Sequence, residues 1–315
     1  MTTALVTGVA GQDGIYLARR LLADGTRVVG TVLPGHRTAM SAYLAGVEVV
    51  EHDVRDAVGF RALMDEHAPD EVYNLAAVSS VGASWKEPAL AVETNGAAVV
   101  RMLETLLARG GSTRFFQAAS GEELGGARDS PYARGKTEAH ALTTEARERH
   151  GLFACAAILY NHESPLRGHQ FVTRKITRAA AEISLGKRDR VSLGNLEVSR
   201  DWGHARDYVD AMVRIVRHDS ADDFVVATGV AHTLEQLLVT AFAAAGIADP
   251  WPYVEQDPGL VRPTDTAVMV GDYSRTGAEL GWAPETTFEQ TIAEMVAVDL
   301  RRVRSGVEED GSYLT

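Results

Sequence analysis

The stretch Ala4-Leu5-Val6-Thr7-Gly8-Val9-Ala10-Gly11-Gln12-Asp13-Gly14 decides the fold of this chain. Its first four residues have the character of a buried strand, and Ile15–Ala23 beyond it repeats apolar residues at helical spacing. Glycines at such a junction suit a tight turn, let backbone N–H groups approach a pyrophosphate and allow the helix to pack closely on the strand. The helix N-terminus then faces the anion, where unpaired N–H groups and the dipole favour negative charge. Gly8, Gly11, Gln12, Asp13 and Gly14 are therefore expected to hold a dinucleotide.

Outward from this unit, β-rich runs at Arg27–Val32, Glu48–Glu51, Glu71–Asn74, Arg114–Gln117 and Phe153–Leu159 alternate with helical patterns. The alternation predicts an α/β fold, a Rossmann-type doubly wound parallel sheet. After Asn161 it gives way to loops rich in Arg, Gly and Pro, up to about Gly203. Helix Asp207–His218 and strand Phe224–Thr228 return to the sheet, while helices at Thr233–Ala245, Ser274–Leu280 and Phe288–Val303 suffice for a smaller interleaved C-terminal substrate lobe. The expected division is 1–165 plus 205–232 for the dinucleotide domain and 166–204 plus 233–315 for the second lobe. The polar tail Glu308–Thr315 is expected to be disordered.

At 315 residues and 45% apolar content the chain can bury a full core. Its net charge of -12 argues against nucleic acid or a membrane surface as partner, since both require a basic face. An anionic substrate would need a local basic pocket. The lone Cys155 lies in an apolar run and reads as a buried strand residue, not a nucleophile. No charged-then-apolar leader opens the chain and no apolar run reaches ~18–20 residues, which predicts a soluble cytoplasmic protein. No Cys/His/Asp spacing suggests a metal.

Ser130-Pro131 reads as a helix start and Gly151 as its stop, which sets Tyr132 and Lys136 one turn apart on one face. A neighbouring ammonium stabilises a phenolate, so Tyr132 is expected to titrate below about 10 and to act as a base toward a hydroxyl, with Lys136 also holding the cofactor's nicotinamide ribose. Upstream, Gln117-Ala118-Ala119-Ser120-Gly121-Glu122-Glu123-Leu124-Gly125 leaves a strand end where the ligand crevice should open. An acid for the adenosine ribose would be expected about twenty residues past the glycines, yet Val32-Leu33-Pro34-Gly35-His36-Arg37 holds none. Arg37, helped by His36, suits a 2′-phosphate, so NADP is expected over NAD.

Two further stretches gather basic and amide side chains in an otherwise acidic chain. One is Asn161-His162-Glu163-Ser164-Pro165 with Phe171-Val172-Thr173-Arg174-Lys175-Ile176-Thr177; the other is Leu193-Gly194-Asn195-Leu196 with Arg200-Asp201-Trp202-Gly203-His204-Ala205. Together with Thr7–Leu17, they resemble the GDP-mannose 4,6-dehydratases, a branch of the extended short-chain dehydrogenase/reductases. The resemblance runs from Ala4 to about Arg302. It implies a GDP-sugar substrate and catalytic roles for Ser120, Glu122, Tyr132 and Lys136, with Glu122 as the elimination carboxylate. It further implies that Asp53, followed by Val54, lies beside the adenine, that Ser84 contacts the sugar, and that Asn161 binds the diphosphate. Val172, Lys175 and Gly194 would meet the guanosine diphosphate, Arg200 and Arg262 would grip phosphate, and Asp265 would accept from ribose hydroxyls. His162 and His204 would order loops.

The chain departs from that pattern in four places. Gly121 replaces a usual Ser, Ser80 a usual His, and two arginines expected near Leu33 and Pro34 are missing, positions that in this family bear on both the cofactor and the tetramer contact. Tyr132 follows Glu122 by only ten positions, where the family carries a longer loop. A wetter pocket and reduced activity are expected from that truncation. Helices over Val92–Ala108 and Pro131–His150 would form the seam of a homodimer in this family, with a tetramer as the larger assembly. The rival readings are a reductase or epimerase on the same fold, which gives Glu122 no role, and a weakly active nucleotide-sugar-binding protein.

Overall fold

The computed structural model describes residues 1–37, 40–125, 128–260 and 267–314. Arg262 and Asp265, expected in the substrate site, lie outside them. The first half runs β1 (Thr3–Thr7), α1 (Gln12–Ala23), β2 (Arg27–Val32), β3 (Glu48–Glu51), α2 (Ala57–His67) and β4 (Glu71–Asn74). Then come α3 (Val81–Lys86), α4 (Pro88–Val92), α5 (Ala98–Ala108), β5 (Arg114–Ser120), α6 (Pro131–His150), β6 (Ala154–Leu159) and β7 (Asn161–Glu163). The remainder comprises α7 (Val172–Ser184), β8 (Val191–Leu193), β9 (Ser199–His204), α8 (Ala205–Arg217), β10 (Asp223–Val226) and β11 (Ala231–Thr233). It ends with α9 (Leu234–Ala244), β12 (Val254–Gln256), β13 (Val268–Met269), α10 (Ser274–Leu280) and α11 (Phe288–Ser305).

Seven parallel strands in the order β10-β6-β5-β4-β1-β2-β3 form the expected Rossmann-type doubly wound sheet. The order reverses between β1 and β4, and a ligand crevice opens at such a switch, beyond the strands' carboxyl ends. A buried polar rung braces this edge. Thr7 Oγ1 donates to Asn74 Oδ1 at 2.7 Å and accepts from the N–H groups of Leu75 and Ala76, and Asn74 Nδ2 donates to Gln117 Oε1 at 2.9 Å. The rung leaves the strand ends rigid where they meet the crevice.

Apolar residues cover both sheet faces. Ile15, Leu17, Tyr208, Met212 and Phe224 pack on one, and Phe60, Met64, Met102 and Phe115 on the other. A separate cluster of Ile176, Trp202, Leu238, Phe242 and Ile292 unites α7, α9, α11 and β9. Helix α6 lies close against the π turn Glu93–Ala97 that joins α4 to α5, an interruption of the helix expected over Val92–Ala108. In that turn the Asn95 amide brackets the backbone of Val78, accepting from its N–H at 2.8 Å. A Cβ on Gly135 would stand 2.8 Å from Asn95 Cβ, so the glycine between Tyr132 and Lys136 lets α6 approach. Ser130 caps α6 by accepting from Ala133 N at 3.1 Å, and Gly151 ends it in the left-handed region, as expected. Cys155 is fully buried in β6.

The tail departs from expectation. Glu308 pairs with Arg178 at 2.8 Å, Asp310 N donates to the Tyr43 hydroxyl, and Arg19 donates to Leu314 O at 3.0 Å. Tyr313 and Leu314 are 5% exposed and join the core cluster of the large sheet. Composition suggested disorder because the polar residues outnumber the two apolar ones, yet those two residues bury enough surface to order the segment. Residues 308–314 therefore bridge the two units, with Tyr313 and Leu314 in the core cluster of the large sheet and Glu308 and Tyr313 against α7 and α11. Tyr313→Ala is expected to cost about 3 kcal/mol, read as a lower urea midpoint; an unchanged midpoint would show that the tail contributes nothing to folding.

Candidate active site

The first glycine turn has the backbone its sequence requires. Gly8 has φ +69°, and a Cβ there would stand 3.0 Å from the Ala76 backbone. A Cβ on Gly14 would fall 2.5 Å from Gly8 O, and Gly11 N donates to that same oxygen at 2.9 Å. No side chain caps the first turn of α1. This geometry fits the pyrophosphate of a dinucleotide, which needs close backbone approach and unshielded N–H groups.

Gln12 and Asp13 turn their side chains elsewhere. Gln12 Nε2 donates to His162 O at 3.1 Å and Gln12 Oε1 accepts from Ser164 Oγ at 2.8 Å. Asp13 Oδ2 lies 2.9 Å from His162 Nε2, while His162 Nδ1 lies 2.7 Å from Tyr160 O. Both ring nitrogens thus face acceptors. Burial opposes a charge on His162, but Asp13 holds its pKa above the ordinary value. His204 accepts from Arg206 N at 3.0 Å and caps α8. Both histidines are committed to loop geometry.

At the far end of the cofactor crevice Arg37 is exposed. An acid does stand beside its loop: Glu51, from the end of β3, accepts from Gly35 N at 3.0 Å. Glu51 is not legible in the residues that follow β2, because only the parallel register brings β3 alongside. The Asp53 carboxylate is paired with the Arg55 guanidinium at 2.5 Å, and Val54 is buried.

A cavity of about 580 Å³ opens at the carboxyl edge of the sheet and extends toward the second lobe. Ser120, Glu122, Tyr132, Lys136 and Asp13 line it together with Asn161, Val172, Lys175, Gly194 and Arg200. These side chains come from elements far apart in sequence. Arg200 is 9% exposed and donates to Ser199 O at 2.8 Å. Ser84 is not brought to the cavity: it is fully buried, with its hydroxyl donating to Val81 O at 2.7 Å. Ser80, one turn earlier, lines the cavity instead and caps α3.

Arg167 and Glu163 were missed. Arg167 Nε lies 3.0 Å from the buried Glu163 carboxylate, and the guanidinium stacks 3.6 Å from the Phe171 ring centroid. Both residues line the cavity. The signal was their spacing of four residues beside Pro165, which places a cation on the same turn as a buried acid.

The acid–base groups differ electrostatically from the sequence expectation. Burial pushes Tyr132 up to about 12, and the charges of Glu122 and Glu123 add to it, against a hydrogen bond with Ser120 that pulls the other way. Burial likewise lowers Lys136 to about 8, countered in part by Glu123 and Asp13. Its Nζ donates to Ala118 O at 2.7 Å. The lowered tyrosine expected from helical spacing is therefore corrected, because desolvation of a phenolate outweighs an ammonium engaged elsewhere. Of the two adjacent acids, Glu122 lines the cavity, whereas Glu123 accepts from Ser120 N at 2.8 Å and lies 2.8 Å from His140 Nδ1.

Comparison with known proteins agrees with this arrangement. A profile of the GDP-mannose 4,6 dehydratase family matches residues 5–295. The chain is 38% identical to GDP-mannose 4,6 dehydratase 2 of Arabidopsis thaliana over 339 aligned positions, covering 99% of this chain and 90% of that protein. It is 36% identical to GDP-mannose 4,6-dehydratase of Yersinia enterocolitica, covering 96% and 95%. Among solved structures, the UDP-glucose 4-epimerase of Thermotoga maritima with UDP-glucose superposes with a TM-score of 0.84 at 22% identity, over 96% of this chain and all of that one. RMD from Pseudomonas aeruginosa complexed with NADPH gives 0.81 at 24% identity, over 96% and 100%. These two share the fold. The match over nearly the whole length, on a sheet whose crevice gathers Tyr132, Lys136, Glu122 and the Asn161–Arg200 segment, establishes that the chain belongs to the GDP-mannose 4,6-dehydratase family.

Proposed function

We propose that this cavity converts GDP-D-mannose to GDP-4-keto-6-deoxy-D-mannose, with Tyr132, Lys136, Ser120 and Glu122 as its catalytic groups. The observation that carries the assignment is the convergence of Glu122 with Tyr132 in one cavity whose other wall bears Lys175 and Arg200. A nicotinamide dinucleotide, which the glycine turn Gly8–Gly14 and Lys136 would hold, would supply the hydride chemistry between C4 and C6 of the sugar. Tyr132 takes the proton of the C4 hydroxyl. Since burial keeps its phenol protonated at neutral pH, added positive charge beside it is required, and Lys136 turned from the Ala118 carbonyl would contribute one. Glu122 then removes the C5 proton and gives it to the departing C6 hydroxyl, which leaves as water. C5 is then reprotonated from solvent and Tyr132 gives up its proton to solvent, so that overall the sugar loses one water.

Arg200 and Lys175, with Arg262 from the second lobe, are assigned to the diphosphate, where charge-assisted contacts hold anionic oxygens. The division of labour between a cofactor domain and a nucleotide-sugar lobe is supported by their separate apolar clusters. Pairing of α5 and α6 with their copies gives a homodimer. Light scattering of the purified protein is expected to read a dimer, and a monomer would remove this reading.

Glu122→Gln keeps the side chain's shape without the proton acceptor. Incubated with GDP-mannose, it is expected to lose water release by about a hundredfold or more and to incorporate no solvent deuterium at C5, while Tyr132→Phe stops every step. Full product from Glu122→Gln, read by mass spectrometry, would remove Glu122 from the mechanism.

For the cofactor we propose NADP, on the exposed Arg37 and the missing acid after β2. Glu51 favours the other reading, because a carboxylate at the Gly35 N–H suits the ribose hydroxyls of NAD and repels a 2′-phosphate. Titration with both dinucleotides decides. Arg37→Ala is expected to weaken NADP about tenfold and leave NAD unchanged, and Glu51→Gln to strengthen NADP. Tighter NAD binding by the unaltered protein would overturn the NADP assignment.

A further inference from the structure

Beside the cavity, a row of alternating charges runs through the protein and ends on the turn that carries Ser120 and Glu122. Arg147 grips Asp223 with two bonds of 2.8 Å, and Asp223 also accepts from Thr144 Oγ1 and Ala156 N. Asp223 Oδ2 lies 3.3 Å from His140 Nε2, and Glu123 Oε2 lies 2.8 Å from His140 Nδ1. The Glu123 side chain is 6% exposed, and its other oxygen accepts from Ser120 N at 2.8 Å. Both ring nitrogens of His140 face carboxylates, so both must carry hydrogen and the ring is an imidazolium. A carboxylate as buried as Glu123 is costly without such a partner.

We propose that Glu123 and His140 are positioning residues, an ionic strut between α6 and the catalytic turn that fixes Ser120 against Tyr132 and holds Glu122 toward the substrate. This inference rests on the reaction proposed above. The strut ends on the backbone N–H of Ser120, whose hydroxyl bonds Tyr132, and Glu122 lies between the two residues it anchors. Removing the imidazolium leaves Glu123 buried and unpaired. Its escape toward water carries the turn with it.

The groups facing His140 are Glu123 from the turn and Asp223 from β10, with Lys136 and Arg147 on its own helix acting on those acids. Hydrogen bonds to Asp223 and Glu123 hold the His140 pKa up at about 9. A histidine raised in the folded state contributes stability fully below its ordinary value of about 6.5 and loses it as pH rises through about 9. The strut therefore opens on the alkaline side.

The test reads the backbone amide signals of Ser120 and Glu122 by NMR, together with turnover of GDP-mannose, for the unaltered protein, His140→Gln and Glu123→Gln. In the unaltered protein both amides are expected to titrate near pH 9, and kcat to fall over the same range with KM little changed. His140→Gln should abolish that titration and lower kcat about tenfold or more, with KM for GDP-mannose within about twofold. If His140→Gln does not fold, Glu123→Gln is read: losing one of the two acids, its amide titration should move to lower pH. Amides that stay flat around pH 9 in the unaltered protein, or a His140→Gln variant with unaltered kcat and pH profile, would overturn the strut. Absence of any water loss by the unaltered protein would sink the proposed reaction, while the amide titration would still decide the strut.

Discussion

The contact on which the site depends is the partly buried pair of Asp13 and His162, residues 149 positions apart. It binds the glycine turn of the first βα unit to β7, the short strand that follows β6. With one nitrogen on the Tyr160 carbonyl and the other on Asp13, the imidazolium is fully used, and its ring lies tilted against Tyr208 with centroids 4.6 Å apart. Gln12 and Ser164 double the link. Because the pair is largely withdrawn from water, breaking it costs more than losing an exposed ion pair. The cofactor crevice and the Asn161–Lys175 segment are thus held in one geometry.

Acids serve the same purpose elsewhere in this chain. Asp201, fully buried, accepts from the N–H groups of Thr228, Gly229 and Gly271 and so ties two loops to β9. Asp299 lies between Arg174 and Arg302, and both arginines donate to the Pro165 carbonyl. The backbone after β7 is therefore pinned from α11, and the loop that presents Arg167 to the cavity cannot drift. An excess of acidic residues does not make the cavity acidic, since many of those carboxylates are consumed as internal acceptors while arginines and lysines line the opening.

Electrostatics at the reacting centre are governed by burial before pairing. Desolvation raises Tyr132 and lowers Lys136, so both groups lean toward their neutral forms in the cavity. Charge nearby moves them oppositely: a positive charge favours the Tyr132 phenolate, whereas acids such as Glu123 favour the Lys136 ammonium and oppose the phenolate. The short connection between Glu122 and Tyr132 matters here too. Leu124, within that connection, is exposed.

The local sequence by itself determined the strand, the turn and the helix at Ala4–Ala23, the cap and stop of α6, the alternation that yields a parallel sheet, and the presence of Tyr132 and Lys136 on one helical face. These follow from periodicity, capping and backbone limits, which act over a few residues. Only the tertiary structure decided which of two adjacent glutamates faces the cavity, that Ser84 is buried while Ser80 is not, and that Glu51 reaches Gly35 from the neighbouring strand. It also decided that Tyr313 and Leu314 order the tail and that Tyr132 titrates high. Each of these depends on burial or on a partner distant in the chain, quantities that local pattern does not contain.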